Sequence, residues 1–363
     1  MDLMTVRSRS GDYQVAFRDD GDWVAELAES ENAFVVVDEL VWRLHGQGCL
    51  APLAARPLHP VPATEELKTL EGVAALCEEM IAQAAKRNAT VVSVGGGVLQ
   101  DVTGFLASVI YRGVRWIYVP STLLAQADSC IGAKTSLNFR HFKNLLGTMY
   151  PPQQVVVHTP LLKTLDDDQY FSGLGEIVKL HIAAGPEAMA HVEPRLTALC
   201  DRDEDAVAAA VRASLLIKQG FIERDEFDRG DRRLLNFGHC FGHAVESATD
   251  FGVPHGQAVV FGMVLAGLVA RDRGLLAPDR FDEVTTRLLR PALPDPAALA
   301  GLDRDAVVAA MRHDKKRTGA GLALVMPVDD WRLILVDDLG EDEALQALEA
   351  LPSALPPGPA DRA

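Results

Sequence analysis

Thr90-Val91-Val92-Ser93-Val94-Gly95-Gly96-Gly97-Val98-Leu99-Gln100-Asp101 opens as a β-branched run and closes on three glycines and a polar helix start. An unbroken β-branched run marks a strand covered on both faces, the habit of parallel sheets. Glycines at the end of such a strand let backbone N–H groups approach a phosphate at a helix N-terminus, here ahead of a helix predicted over Val102–Ile110. Alone, the triplet reads equally well as a tight turn, because the dinucleotide fingerprint has a third glycine where Gln100 stands.

Outward from this point the strand signal repeats at Tyr13–Phe17, Phe34–Asp38, Trp116–Pro120 and Gln154–His158. Between them, Thr64–Arg87 carries Leu67, Leu70, Val73, Cys77, Met80, Ile81 and Ala84 at helical spacing, with acids in its first turn and Lys86-Arg87 at its end. Strands alternating with helices imply a parallel α/β sheet. Beyond about residue 170 helical periodicity takes over, over Tyr170–Ala183, Pro186–Leu199, Asp205–Gln219, Cys240–Thr249, Gln257–Arg273 and Asp279–Leu289. The β-branched runs left there are Gly321–Met326 and Trp331–Val336. The expected fold is an α/β N-terminal nucleotide-binding domain with a parallel sheet over 1–172, joined to a mostly α-helical C-terminal metal-binding domain over 173–351. The Pro- and Ala-rich stretch 352–363 is expected to be a disordered tail.

A chain of 363 residues can form two domains with separate cores, and 48% hydrophobic content excludes a disordered chain. A net charge of −16 argues against nucleic-acid and anionic-membrane partners, which need a basic face. An anionic substrate would have to meet a local basic cluster instead. Five scattered cysteines without a C-x-x-C pair fit reduced thiols. With no apolar leader and no long apolar run, the expected location is cytoplasmic.

Three of the ten histidines fall in Leu234-Leu235-Asn236-Phe237-Gly238-His239-Cys240-Phe241-Gly242-His243-Ala244-Val245-Glu246 and the following Pro254-His255-Gly256. On a helix, His239 and His243 project from one face a turn apart, and His255 can return to that face through the turn at Gly252 and Pro254. Any one of them reads more simply as a hydrogen-bonded core or surface histidine; the three together favour metal ligation. Imidazoles with one carboxylate suit zinc with an open position. Glu176, in Gly173–Lys179, is the candidate carboxylate, although Glu176 and Lys179 also read as a surface ion pair. A polar loop, Asp128–Thr135 followed by Lys143-Asn144, offers Lys134 to a phosphate or sugar oxygen. Asp38, at a strand end, reads equally as a ribose ligand or a helix cap.

Gly95–Asp101, Arg112-Gly113, Val119–Ala125, Asp128–Thr135, Lys143-Asn144, Glu176–Lys179, Asp225-Glu226, Leu234–Glu246 and His255-Gly256 together resemble the 3-dehydroquinate synthases and their sugar phosphate cyclase relatives, from about Pro62 to Lys316. The resemblance implies Glu176, His239 and His255 as ligands of zinc, with Co2+ the alternative, and moves His243 off the metal. It implies NAD on Gly95, Gly96, Gly97, Asp101, Ser121, Thr122, Asp128 and Lys143, with Asp38, Glu65 and Lys68 towards the adenosine end. Phosphate would fall to Lys134, Asn144, His243, Lys315 or Lys316, and Arg112, the last reaching in from the partner of a homodimer. Lys179, Lys218, Arg232 and Asn236 would surround the substrate's carbon skeleton.

The implied enzyme is a carbon–oxygen lyase acting on phosphates, in which hydride removal and return bracket phosphate elimination and an aldol closure. Gln100, Cys130, Ala133, Phe142 and Leu40 depart from the family pattern. Retention of Arg232 and His243 favours a carboxylate-bearing heptulosonate 7-phosphate. The alternatives are another sugar phosphate such as sedoheptulose 7-phosphate, a metal- and NAD-dependent polyol dehydrogenase, and a non-catalytic nucleotide-binding protein.

Overall fold

The computed structural model describes residues 2–30, 32–140, 142–293, 301–312 and 322–355. The chain divides into two compact units, Met1–Leu165 and Asp166–Ala363.

In the first unit the elements run β1 (Asp2–Val6), β2 (Tyr13–Phe17), α1 (Asp22–Glu29), β3 (Ala33–Asp38), α2 (Glu39–His45), β4 (Leu58–Val61), α3 (Leu70–Ala82), β5 (Thr90–Gly95), α4 (Gly97–Val109), β6 (Arg115–Pro120), β7 (Lys134–Phe139), β8 (Phe142–Met149) and β9 (Gln154–Val157). Seven strands form one sheet in the order β1-β2-β9-β6-β5-β3-β4, parallel throughout except for the β1–β2 pair. Val94 sits in register between Val37 and Val119, and all three belong to a core with Trp23, Val35 and Leu161. Burial on both faces explains why these strands read as apolar runs.

The second unit contains α5 (Asp167–Ala184), α6 (Pro186–Val192), α7 (Leu196–Cys200), α8 (Glu204–Arg224), α9 (His239–Ala248), α10 (His255–Asp272), α11 (Pro278–Val284), α12 (Arg304–Arg312), the hairpin β10 (Leu322–Val328) and β11 (Arg332–Leu339), and α13 (Glu341–Ala354). Every residue of α10 from Gly256 to Ala270 is buried, so this helix has no polar face, and α5, α9, α11, α13 and β10 pack about it. Among the described residues no helix is long and apolar enough to cross a membrane, and no disulfide joins the five cysteines.

Several elements differ from expectation. The helix expected over Thr64–Arg87 is a 3-10 turn, Glu65–Leu67, then α3, because Thr69 Oγ1 accepts the Gly72 N–H at 3.1 Å and starts a new helix. The helix ends before Ala84, which has φ 55°. Pro194 interrupts Pro186–Leu199 with a 3-10 turn, lacking the N–H that would continue α6. Asp279–Leu289 is α11 followed by a π turn over Thr285–Leu289. The supposed polar loop is a π turn, Ala125–Ser129, leading into the β7–β8 hairpin. Helix α13 extends to Ala354, into the stretch expected to be disordered; 356–363, Gly321, Lys315 and Lys316 lie outside the described residues.

Candidate active site

In the first unit, Gly95 ends β5 and Gly96 caps α4 without a side chain, so the helix presents its first N–H groups beside the strand end. Ser121 N–H donates to the Gly95 carbonyl at 3.0 Å, and Thr122 Oγ1 accepts the Ala125 N–H at 3.2 Å. These bonds fold the segment after β6 against the glycine turn. The next turn carries Asp128, which is buried. Gln100 is buried too and bonds reciprocally with Ser129: its Nε2 donates to the Ser129 carbonyl at 2.6 Å, and Ser129 Oγ donates to its Oε1 at 2.7 Å. The departure from glycine at 100 therefore joins α4 to the turn that holds Asp128.

Asp101 faces Lys68 Nζ at 2.8 Å, and burial pushes its carboxyl up against the pull of Lys68. Lys68 also reaches Asn144 Oδ1 at 2.7 Å. Glu65 accepts from Asn138 Nδ2 at 2.8 Å, on the same hairpin. Lys134 opens β7 with an exposed side chain and Lys143 lies near the start of β8. Asp38 accepts the Leu40 N–H at 2.9 Å and so caps α2. Arg112 is exposed in a run of left-handed residues, Tyr111 φ 52°, Arg112 φ 65° and Gly113 φ 115°.

The second unit builds its centre from three helices. Glu176 lies mid-way along α5 with 2% of its side chain exposed, His239 is the first residue of α9 and His255 the first of α10. Helices α5 and α10 approach through Gly256, where a Cβ would collide with the Ser172 carbonyl; the Gly256 N–H donates to Ser172 Oγ at 2.8 Å. Gly238, with φ 78°, makes the left-handed entry to α9 at a point where a Cβ would strike the Val259 carbonyl.

Glu176 Oε1 lies 3.4 Å from His255 Nε2 and 4.0 Å from His239 Nε2. The ligand atoms of His239, His243 and His255 all fall within 4.8 Å of one another. His239 Nδ1 faces the Phe237 carbonyl at 3.1 Å and His255 Nδ1 faces Glu246 Oε2 at 3.1 Å. Each Nδ1 thereby carries its hydrogen towards an acceptor, and loss of the Nε2 hydrogen from His255 would leave both Nε2 atoms on the Glu176 side as ligands for a cation. Burial and the nearby Lys179, His243 and His255 hold the His239 imidazole well below its ordinary value. Burial also lowers His255, but its bonds to Glu176 and Glu246 outweigh this and raise it to about 10. A divalent cation fits this donor set. The distances admit His243 as readily as the other two imidazoles, so geometry alone does not exclude it.

Lys179 forms a buried ion pair with Glu176 one turn away. Lys218, on α8, is buried. An open cleft lies against His239 and His243 and is lined as well by Asn236, Arg233, Cys240, Met311, Leu322 and Leu335. Arg232 is buried, its Nη1 donating to the Glu226 carbonyl at 2.5 Å; its neighbour Arg233 lines the cleft. Sequence reasoning missed Glu246, whose position one turn after His243 was a usable signal. It also missed Arg233, Ser136 and Asn138, for which spacing offered none.

A parallel α/β unit headed by a glycine turn, followed by a mostly helical unit, is a fold found in solved sugar phosphate cyclases and in glycerol dehydrogenases alike. The family model described as 3-dehydroquinate synthase N-terminal matches residues 58–172, and that described as 3-dehydroquinate synthase C-terminal matches 173–317. The chain is 37% identical to a 2-epi-valiolone synthase of Actinosynnema mirum, over 95% of this chain and 93% of the relative. It is 38% identical to a 3-dehydroquinate synthase of Methylococcus capsulatus, over 87% and 86%. Among solved structures, the 2-epi-5-epi-valiolone synthase of Streptomyces hygroscopicus subsp. jinggangensis, with NAD+ and Zn2+ bound, superposes with a TM-score of 0.81 at 28% identity, covering 96% of this chain and 98% of that one. A glycerol dehydrogenase of Sinorhizobium meliloti reaches 0.62 at 17% identity over 93% and 96%, a likeness of fold alone. The chain belongs to the 3-dehydroquinate synthase family, the phosphate-eliminating cyclases of the lyase class.

Proposed function

We propose that this chain eliminates phosphate from a heptulosonate 7-phosphate and closes a carbocycle, as a homodimer in the cytoplasm, with NAD+ and a divalent metal, zinc or else cobalt. The observation that carries the reading is the convergence of Glu176, His239 and His255, each imidazole Nδ1 engaged by an acceptor, with Lys179 on the same carboxylate. The bound state of the Streptomyces relative supports both cofactors. A bound cation supplies Lewis acidity to a substrate hydroxyl, and NAD+ accepts and returns one hydride.

The remaining work falls to side chains. Lys179 sits where its ammonium can stabilise an oxygen that loses its proton beside the metal ligands, and His243, at the cleft wall, can hold or pass a proton to a departing phosphate. Lys134, Lys143 and Asn144 supply donors to anionic groups in a chain whose total charge would repel them. Of these, Lys134 and Asn144 would distinguish a cyclase from an NAD-dependent dehydrogenase of similar fold, whose substrate has no phosphate to bind.

A panel of heptulosonate and sugar 7-phosphates, followed by phosphate release and by NADH absorbance, tests the proposal. Phosphate release without NADH accumulation is expected; NADH rising in step with product would indicate a dehydrogenase. A second reading, a cyclase for sedoheptulose 7-phosphate or another sugar phosphate, draws support from the bond of Arg232 to the Glu226 carbonyl and from the relative named 2-epi-valiolone synthase. Arg232→Ala decides between them. Losing a charged hydrogen bond costs about 1.5–3 kcal/mol, roughly tenfold to over a hundredfold, and the loss should fall on the carboxylate-bearing substrate only. Equal losses on both substrates, or activity only on the one without a carboxylate, would favour the second reading.

A further inference from the structure

The β7–β8 hairpin contains an arrangement that the family resemblance did not supply. Asn144, at the hairpin's exposed side, has φ 51°, and its N–H donates to Asn138 Oδ1 at 2.9 Å. Asn138 is itself anchored twice, its N–H donating to the Lys68 carbonyl at 2.7 Å and its Nδ2 to Glu65 Oε2 at 2.8 Å. The left-handed backbone of Asn144 is thus pinned from a neighbouring strand.

Its side chain is fixed as well. Lys68 Nζ lies 2.7 Å from Asn144 Oδ1, and an ammonium can only donate, so the atom facing it must be the amide oxygen. Ser136 Oγ lies 2.9 Å from the same oxygen and 2.8 Å from Asp101 Oδ2, with one hydroxyl hydrogen to serve both, while the Ser136 N–H donates to Asp101 Oδ1 at 2.9 Å. With its oxygen held this way, Asn144 turns its NH2 outward, where no acceptor meets it among the described residues. An outward amide NH2 is a pair of donors suited to an anion and unsuited to a cation.

We infer that Ser136 and Asn138 are positioning residues for anion recognition: they hold Asn144 with its NH2 presented to the phosphate of the substrate, and Ser136 ties that donor to Asp101 in the first turns of α4. The inference rests on the proposed role of Asn144 as a phosphate ligand and adds the side chains that make it one. Ser136 does not touch the substrate; it acts through Asn144.

The test measures binding of inorganic phosphate by calorimetry to the metal-loaded protein saturated with NAD+. Ser136→Ala should weaken phosphate about five- to tenfold, the scale of one net hydrogen bond, while NAD+ affinity and melting temperature stay within experimental scatter. Ser136→Thr, which keeps the hydroxyl, should restore binding; a merely structural serine would show no such rescue. Asn144→Asp, isosteric but repelling an anion, should abolish it. If Asn144→Asp abolishes binding and Ser136→Ala leaves it unchanged, the positioning role is wrong and the phosphate role of Asn144 stands. If Asn144→Asp leaves binding intact, both fall. Equal loss of phosphate and NAD+ affinity in Ser136→Ala would make the serine a general prop of the hairpin and overturn the inference.

Discussion

Glu246 decides how firmly His255 can hold a cation, because it fixes the ring through Nδ1 and raises the basicity of Nε2. Glu246→Gln keeps the shape and removes the charge, and should weaken zinc binding about tenfold or more, as read by competition with a chelator. Affinity equal to the parent's would show that the helix start alone orients His255. Helical spacing set Glu246 one turn after His243, but its contact with His255 links positions nine apart across a turn and follows from no periodicity. The grouping of the three histidines was legible because they crowd one short segment. The partnership of Lys68, Ser136 and Asn144 was not, since it joins three separate elements through polar atoms that read singly as surface.

At the scale of elements, the position of the centre depends on how closely α5 and α10 approach. Gly256→Ala should lower the denaturant midpoint by about 1–3 kcal/mol equivalent and reduce metal content, since Cβ and the Ser172 carbonyl compete for one place. An unchanged midpoint would mean that the helices separate without cost. Arg273 reaches from the end of α10 to Glu343, in the first turn of α13, and to Asp338. Its bond holds the Glu343 carboxyl below its ordinary value of 4.5. A depressed carboxylate stabilises the fold above that value and ceases to as pH falls through the lower native one. Because Glu343 is 38% exposed, the effect is no more than about 1 kcal/mol. Arg273→Gln should therefore unfold earlier in urea at pH 7, and its deficit should shrink as pH falls below 4.5; a constant deficit would assign it to packing. Element types were legible where burial is two-sided, as in β3, β5 and β6, whose valines leave no doubt. They were obscure where a local hydrogen bond overrides periodicity, as Thr69 does at α3, or where a strand pair is mostly polar, as in Lys134-Thr135-Ser136-Leu137-Asn138-Phe139.

At the scale of the molecule, an acidic protein must collect its basic groups locally, and a homodimer adds one more if Arg112 enters the neighbour's site. Its left-handed backbone, with Tyr111 bonded to the Ala85 carbonyl at 2.8 Å, carries Arg112 on an exposed turn. Mixing Arg112→Ala with Lys179→Ala protomers should recover activity that neither has alone, since a hybrid dimer keeps one intact site. No recovery despite demonstrated subunit exchange would confine each site to one chain. The two-unit organisation was legible from the shift in composition near residue 170, but the central place of α10 was not, because a helix buried on every side has no polar face to orient it. That burial has a consequence for how the second unit comes apart. The amide hydrogens of Val259–Leu268 have no local route to solvent and should exchange with deuterium only when the whole unit opens. As His255 is the first residue of this helix, a cation seated there would act as a clasp on the slowest-opening segment, lengthening its exchange lifetimes in step with metal occupancy.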